Sequence, residues 1–176
     1  HQYEAWTWEH MALTRLRVLA GDETLGRIIE SLAEAAINSD QSASRTKDIL
    51  DMRERLDRDK PAAGPWDLKM RKGGLVDLEF ITQHAILTAK PHQALLPNLG
   101  AAQAQLLATK VWSEEDVKTV SEAHAFLQAL QQVQRMANEN IVGGLDLSKA
   151  LQDRLCRAVA CGSFEDLLRT LETTCA

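Results

Sequence analysis

Residues 66–80 read Trp-Asp-Leu-Lys-Met-Arg-Lys-Gly-Gly-Leu-Val-Asp-Leu-Glu-Phe. In this stretch, cations and a Gly-Gly pair directly precede an apolar run that has helical spacing and carries two acids. Helix N-termini favour anions through their exposed N–H groups, and glycine allows a phosphate to approach the backbone closely. The stretch therefore predicts a helix that begins near Gly73-Gly74, with a nucleotide-contacting corner at its start.

Helical spacing of apolar residues also dominates the chain on both sides of this stretch, and no strand pattern is evident. Asn98 predicts one helix N-cap, and Ser113 with Asp116 predicts a capping box in which Asp replaces the usual Glu. The predicted helices span about residues 4–20, 25–37, 45–60, 74–89, 98–109, 113–138, 147–160 and 163–173. The sequence thus predicts an all-α helical bundle of about seven to eight helices, forming a single domain over residues 1–176.

The composition is that of an ordinary soluble protein, with 45% hydrophobic and 26% charged residues. The net charge of −5 provides no overall attraction to nucleic acid or to an anionic membrane. No apolar run is long enough to span a bilayer, and no signal-peptide pattern opens the chain. Cys156, Cys161 and Cys175 lack metal-ligand spacing, so we expect a cytoplasmic location with buried or inert thiols.

The sequence contains none of the common catalytic motifs. It has no P-loop, no Gly-x-Gly-x-x-Gly, no His-Glu-x-x-His and no serine elbow. The Asp57-Arg58-Asp59 pattern lies at the end of a charged predicted helix, where a solvated face is a better interpretation than a metal site. We therefore predict no catalytic residue and no metal ligand within this chain.

The charged residues around Gly73-Gly74 allow a functional and a structural interpretation. Lys69, Arg71 and Lys72 are suited to bind phosphate through charge-assisted hydrogen bonds, although a solvated loop would carry the same residues. Asp77 and Glu79 differ by about 200° around a helix, so they cannot act as a carboxylate pair. Arg15 and Arg17, placed on the first predicted helix, likewise cannot share a face. The tryptophans Trp6, Trp8 and Trp112 are expected to be helix-packing anchors.

Two motifs resemble the glutamine synthetase adenylyltransferase/deadenylylase family. The first is Asp67-Leu68-Lys69 followed by Gly73-Gly74-Leu75-Val76-Asp77-Leu78-Glu79-Phe80-Ile81-Thr82-Gln83. The second is the opening Glu4-Ala5-Trp6-Thr7-Trp8-Glu9-His10, with Ala12-Leu13 and Arg15-Leu16-Arg17. Both occur in the order and at the separation that the family shows.

The resemblance implies a multifunctional enzyme that controls nitrogen assimilation. Family members have two halves, each with a nucleotidyltransferase domain followed by a helical bundle. One half removes AMP from a tyrosine of glutamine synthetase by phosphorolysis, and the other attaches AMP from ATP with Mg²⁺. PII signal proteins and glutamine regulate the balance. The chain resembles the C-terminal bundle after the adenylylating domain, whose metal-binding carboxylates lie in that preceding domain, so the isolated chain is expected to be inactive.

The same resemblance suggests candidate site residues at one wall of the nucleotidyltransferase cleft. Lys69 would neutralise phosphate charge beside the Gly73-Gly74 turn, Asp77 would orient a cation or polar group, and Asp67 belongs to the same motif. Weaker candidates are Arg71, Lys72, Arg15, Arg17 and Glu79, the last expected to pack or pair within the bundle. The alternatives are a regulatory module that binds PII protein, glutamine or glutamine synthetase, the bundle of a PII uridylyltransferase, and a purely structural brace.

Overall fold

A computed structural model describes residues 7–39, 44–89, 95–96, 98–137 and 147–176. Within these ranges the chain forms eight α-helices and no strand, which confirms the predicted all-α fold. The helices are α1 (Thr7–Leu13), α2 (Glu23–Ser39), α3 (Arg45–Asp59), α4 (Leu75–Ala89), α5 (Leu99–Ala108), α6 (Glu114–Met136), α7 (Lys149–Ala158) and α8 (Phe164–Thr174).

The two predicted N-caps are confirmed. The Asn98 side chain accepts a hydrogen bond from the Ala101 N–H at 2.9 Å, at the start of α5. At the start of α6, the Ser113 N–H donates to Asp116 Oδ2 at 2.8 Å and the Asp116 N–H donates to Ser113 Oγ at 3.1 Å. Hydrogen bonds from the Ser113 hydroxyl and backbone hold the pKa of Asp116 below its usual value. This reciprocal pattern is a capping box with a shorter acid.

The first helix is shorter than predicted, because α1 ends at Leu13 rather than near Ala20. The Thr14 hydroxyl donates to the Met11 carbonyl at 2.7 Å, and the Thr14 carbonyl accepts from the Leu96 N–H at 2.7 Å. In a continuing helix the Thr14 carbonyl would accept from the Val18 N–H, but here it accepts from Leu96. The Val18 N–H donates to Glu30 Oε1 at 3.2 Å instead. The predicted helical residues 4–6 lie outside the described residues.

The chain divides into two compact units. Unit 1 comprises the described residues of 7–54 and 79–117, and unit 2 comprises those of 55–78 and 118–176. The division falls within α3, α4 and α6. The single domain over residues 1–176 stays a prediction.

The core of unit 1 consists of two apolar clusters. The first cluster brings together one buried side chain from each of the first four helices, namely Met11, Ile37, Ile49 and Leu87. The second joins α4 to α5 and consists of Ala85, Ile86, Leu96, Ala102 and Leu106. Trp112 packs against the second cluster, as expected of a packing anchor. Trp8 is 53% exposed, so the corresponding expectation for Trp8 is wrong, and Trp6 lies outside the described residues.

The core of unit 2 includes the contact between α7 and α8. The N-cap residues of the two helices are Ser148 and Ser163. Their apolar faces are buried through leucines at helical spacing, Leu151 and Leu155 on α7 and Leu167 and Leu171 on α8. On α6, the buried residues are Val120, Leu127 and Leu130.

Helix α2 exposes most of its apolar residues. Ala33 and Ile37 are buried in unit 1, at 5% and 0% exposure. The residues that give the helix its amphipathic pattern are 43–65% exposed, and they are Leu25, Ile28, Ile29 and Leu32. Their spacing of i, i+3, i+4 and i+7 places them on one side of the helix, which we call the α2 apolar face.

Candidate functional site

The residues that connect α3 to α4 fold back on themselves immediately before α4. The N–H groups of Gly74, Leu75 and Val76 donate to carbonyls of the preceding turn, those of Arg71 (2.9 Å), Leu68 (3.0 Å) and Lys69 (3.2 Å), respectively. The first N–H groups of a helix have no partner within the helix, and this is why a helix N-terminus attracts anions. At the start of α4 these donors are therefore satisfied by the protein's own loop.

The two aspartates of the motif complete this arrangement. The Asp67 carboxylate accepts from the N–H groups of Ala63 and Met70, each at 3.1 Å. The Asp77 carboxylate accepts from the Gly73 N–H at 2.7 Å. The four successive N–H groups from Gly73 to Val76 thus all donate to acceptors within the loop and first turn. Asp67 and Asp77 act here as turn-forming residues, as short acidic side chains commonly do.

The Gly-Gly pair is required by close backbone packing. Gly73 has φ +69°, a left-handed conformation, and a Cβ atom at this position would lie 2.6 Å from the Cα atom of Cys175. A Cβ atom on Gly74 would lie 2.7 Å from the carbonyl oxygens of Leu68 and Arg71. Both distances are too short for any larger residue, so packing within the chain, against Cys175 for Gly73 and against the loop for Gly74, accounts for both glycines.

The motif's cations differ in their surroundings. Arg71 is only 13% exposed, and its guanidinium donates to the Pro65 carbonyl at 2.9 Å and to the Glu172 carboxylate at 3.1 Å. Through the ion pair with Glu172, Arg71 connects the loop to α8. Lys69 and Lys72 are exposed, and within the part of the chain that the structure describes neither has an ion-pair partner. Of the three cations, these two lysines are the ones available to an incoming anion.

The remaining candidates lie in unit 1. Arg15 and Arg17 are not helical, contrary to the prediction, because α1 has already ended at Leu13. Arg15 Nη1 lies 3.3 Å from Glu79 Oε1, and both side chains are about half exposed. Arg17 lines an open cavity of about 380 Å³ beside α2. Glu79 and Asp77 contact different partners, in keeping with their separation around α4.

Sequence reasoning missed the residue that holds the loop in unit 2. Trp66 is 1% exposed, and its ring stacks on Phe164 with centroids 5.9 Å apart. Its carbonyl accepts from the Gln134 side-chain amide at 3.0 Å. The available signal was a tryptophan just after Pro65 in a polar loop, because such a large apolar ring is rarely left in water. Trp66, Gln134 and Glu172 are the partners that fix this loop.

Two general properties bear on the kind of site that the chain can form. Among the described residues, no three His, Cys, Asp or Glu side chains are grouped so that they could hold a metal ion. No helix in those same ranges has the length and hydropathy needed to cross a membrane.

The fold and the loop define the chain as an all-α protein whose fourth helix follows a turn in which the N–H groups of Gly73 and Gly74 are hydrogen-bonded within the chain. A family model described as GlnD PII-uridylyltransferase matches residues 45–174, which include α3 to α8. The chain belongs to the family that this model describes.

Named relatives define the similarity further. The chain is 35% identical over 168 residues to a bifunctional glutamine synthetase adenylyltransferase/adenylyl-removing enzyme of Rhizobium meliloti, with 93% of this chain and 17% of the relative covered. It is 36% identical over 177 residues to the enzyme of the same name from Xanthobacter autotrophicus, with 97% and 18% covered. The resemblance to the adenylyltransferase family is thus confirmed. The chain spans less than a fifth of the length of these relatives.

Proposed function

We propose that the chain is the helical domain of an enzyme that adenylylates glutamine synthetase. The observation that carries this proposal is similarity along 93% and 97% of the chain to enzymes with that name. Those relatives are much longer than the matched segment, which supports a division of labour between domains. In our proposal ATP, Mg²⁺ and the catalytic carboxylates belong to a nucleotidyltransferase domain elsewhere in the polypeptide, and PII protein and glutamine regulate the whole enzyme in the cytoplasm.

Within that enzyme, the α2 apolar face is the surface that packs on the nucleotidyltransferase domain. Its four residues are all large and aliphatic, and their exposures of 43–65% leave much apolar area in water. Contiguous exposed apolar surface of this kind marks an interaction site. Fully burying a leucine or isoleucine contributes about 1.5–3 kcal/mol, so completing the burial of four half-exposed side chains would contribute several kcal/mol to docking.

This docking role is tested by replacing Leu25 and Leu32 together with Asp in the full-length enzyme. We expect the rate of AMP transfer to glutamine synthetase to fall at least about tenfold, because two charges would be placed in an apolar contact. The matched control is Ser31→Asp, which adds a charge on another exposed side of α2 and should leave the rate unchanged. Equal rates for the double variant and the wild type would remove the α2 apolar face from the domain contact.

Lys69 is the residue of the loop that we propose to contact ATP phosphate. The support is its exposure and the lack of an ion-pair partner among the described residues, whereas Arg71 is engaged by Glu172. Because the amides of Gly73 and Gly74 are bonded internally, the interaction is assigned to the ammonium group and not to the backbone. Lys72 is the second candidate.

The phosphate role is tested with Lys69→Ala in the full-length enzyme. Removing a charge-assisted hydrogen bond to phosphate should raise KM for ATP by roughly tenfold. Lys60→Ala is the control, since Lys60 is also exposed and follows α3. An unchanged ATP dependence would exclude Lys69 from the nucleotide site.

The nucleotide and the protein substrate are tested together. The enzyme should transfer AMP to glutamine synthetase when it is offered both ATP and UTP, with glutamine synthetase and PII protein both present. Transfer of UMP to PII protein would favour the uridylyltransferase activity that the family model's description names. The 176-residue chain alone should transfer neither nucleotide, and transfer by the chain would overturn the placement of catalysis in another domain.

A further inference from the structure

The C-terminus of α7 brings two cysteines together. The Cys161 N–H donates to the Cys156 carbonyl at 2.9 Å, and the Ala160 N–H donates to the Arg157 carbonyl at 3.4 Å. Ala160 between them has φ +53°. These are the two hydrogen bonds and the left-handed residue of a Schellman motif, in which the side chains corresponding to Cys156 and Cys161 commonly touch.

The backbone alone limits how far apart the two cysteines can be. The hydrogen bond, together with standard bond lengths and the trigonal angle at the carbonyl carbon, restricts their Cα–Cα distance to about 6.8 Å or less, which is within the range that disulfides span. Burial raises the pKa of the Cys156 thiol, and the neighbouring Cys161 raises it further. Both side chains are half-buried, so a small reagent can reach them. Every part of this arrangement lies within unit 2.

We propose that Cys156 and Cys161 form a reversible dithiol–disulfide pair. This modification site would covalently link the end of α7 to the segment that leads into α8. The ligand class is a small-molecule disulfide such as oxidised glutathione. The pair is independent of the loop at residues 66–77 and of the proposed transferase function. It differs from the expectation that these thiols are inert, and the assay below distinguishes the two.

The exchange takes place in two steps. One cysteine thiolate attacks a sulfur of the small disulfide, and a protein–glutathione disulfide forms as one glutathione thiolate leaves. The second cysteine, as its thiolate, then attacks the protein sulfur of that mixed disulfide and expels the other glutathione. Two protein thiols are oxidised, one small disulfide is reduced to two thiols, and the protons of the protein thiols end on the released glutathione or in solvent.

The sequence between the two cysteines provides a direct assay. Arg157 lies between them, so trypsin separates Cys156 in peptide 155–157 from Cys161 in peptide 158–169. The 176-residue chain is equilibrated with oxidised glutathione, quenched with acid, alkylated, digested without reductant and analysed by mass spectrometry. We expect the two peptides to be recovered joined, with a loss of two of the three alkylatable thiols. Dithiothreitol should release them.

Two comparisons make the assay decisive. Cys156→Ser should abolish the joined peptides, and Cys175→Ser should leave them unchanged. The chain should remain a monomer on a non-reducing gel. The proposal is overturned if Cys156 and Cys161 stay alkylatable, if each carries only a glutathione adduct, or if the linkage joins two chains.

Discussion

Residues 66–77, which form the loop before α4 and the first residues of that helix, and the α2 apolar face make opposite use of their side chains. The loop has the sequence of a ligand site, with cations, acids and two glycines, yet both aspartates, Arg71 and the glycine N–H groups are hydrogen-bonded within the chain. Helix α2 has an ordinary amphipathic sequence, yet four of its large apolar residues face outward. The contrast shows that the fold itself can use the polar groups of a motif, while an ordinary amphipathic helix leaves large apolar side chains exposed.

The two regions differ because hydrogen bonds can be completed by neighbouring residues, whereas burial of an apolar face needs another element of structure. Unpaired N–H groups at a helix start are satisfied by any nearby acceptor, and a preceding turn supplies carbonyls and carboxylates without requiring a ligand. An apolar face has no complete local solution, because neighbours at i+3 and i+4 on one helix cover only part of one another. It must be buried by another element, or it remains in water. The two regions should therefore respond very differently to substitution.

The largest loss of stability is expected on substitution of Trp66, whose buried ring packs the loop against Phe164. Trp66→Ala removes a fully buried ring and its stacking on Phe164, so the free energy of unfolding of the chain should fall by about 3–5 kcal/mol. The matched control is Trp8→Ala, at a tryptophan that is 53% exposed, and it should cost much less. Equal losses in chemical denaturation would show that the loop is not anchored as described.

The second-largest loss of stability is expected on substitution of Gly74. Gly74→Ala places a Cβ atom against two carbonyl oxygens that accept the loop's own hydrogen bonds, so we expect a loss of about 2–3 kcal/mol in unfolding free energy. Gly162→Ala is the comparison, because the nearest atom to its Cβ would be 3.9 Å away, an ordinary contact. If the two alanine variants unfold at the same denaturant concentration, the tight turn is absent.

A smaller effect is expected at Arg71. Arg71→Met keeps the apolar stem but removes the hydrogen bonds to Pro65 and Glu172, which should lower the unfolding free energy by about 1–2 kcal/mol. Arg169→Met on α8 removes an exposed pairing with Glu165 and Asp166 and should cost less than about 0.5 kcal/mol. A reversed order of these two losses would contradict the buried role of Arg71.

The smallest effect on stability is expected at the α2 apolar face. Leu32→Asp should change the unfolding free energy of the 176-residue chain by less than about 0.5 kcal/mol, because Leu32 is 65% exposed. Ile37→Ala on the same helix should cost about 2–4 kcal/mol, since Ile37 has no exposed surface. A large loss for Leu32→Asp would mean that this face is buried within the chain.

The helices could be predicted from the sequence because their information is local. Apolar spacing and capping residues such as Asn98 and Ser113 act within one or two turns, and they located α2 to α8 closely. The end of α1 could not be predicted in this way. It depends on a hydrogen bond between Thr14 and Leu96, which are far apart in sequence, and Arg15 and Arg17 were misplaced as a consequence.

The sequence defined the motif of the candidate site, but it could not define the contacts that the motif makes, and the site itself stays a prediction. The sequence indicated that Asp77 and Glu79 diverge, because helical geometry alone determines this. It could not indicate that Glu172 binds Arg71 or that Cys175 packs against Gly73, since both partners come from the far end of the chain. Local patterns define which groups are available, and tertiary packing decides which of them remain available to a ligand.

The most direct test of the contrast is carbene footprinting of the isolated chain and of the full-length enzyme. We predict that Leu25, Ile28, Ile29 and Leu32 are labelled strongly in the isolated chain and fall to the level of buried Ile37 in the enzyme. Trp66 should be weakly labelled in both, because the loop is complete within the chain. Unchanged labelling of the α2 apolar face in the full-length enzyme would contradict the account.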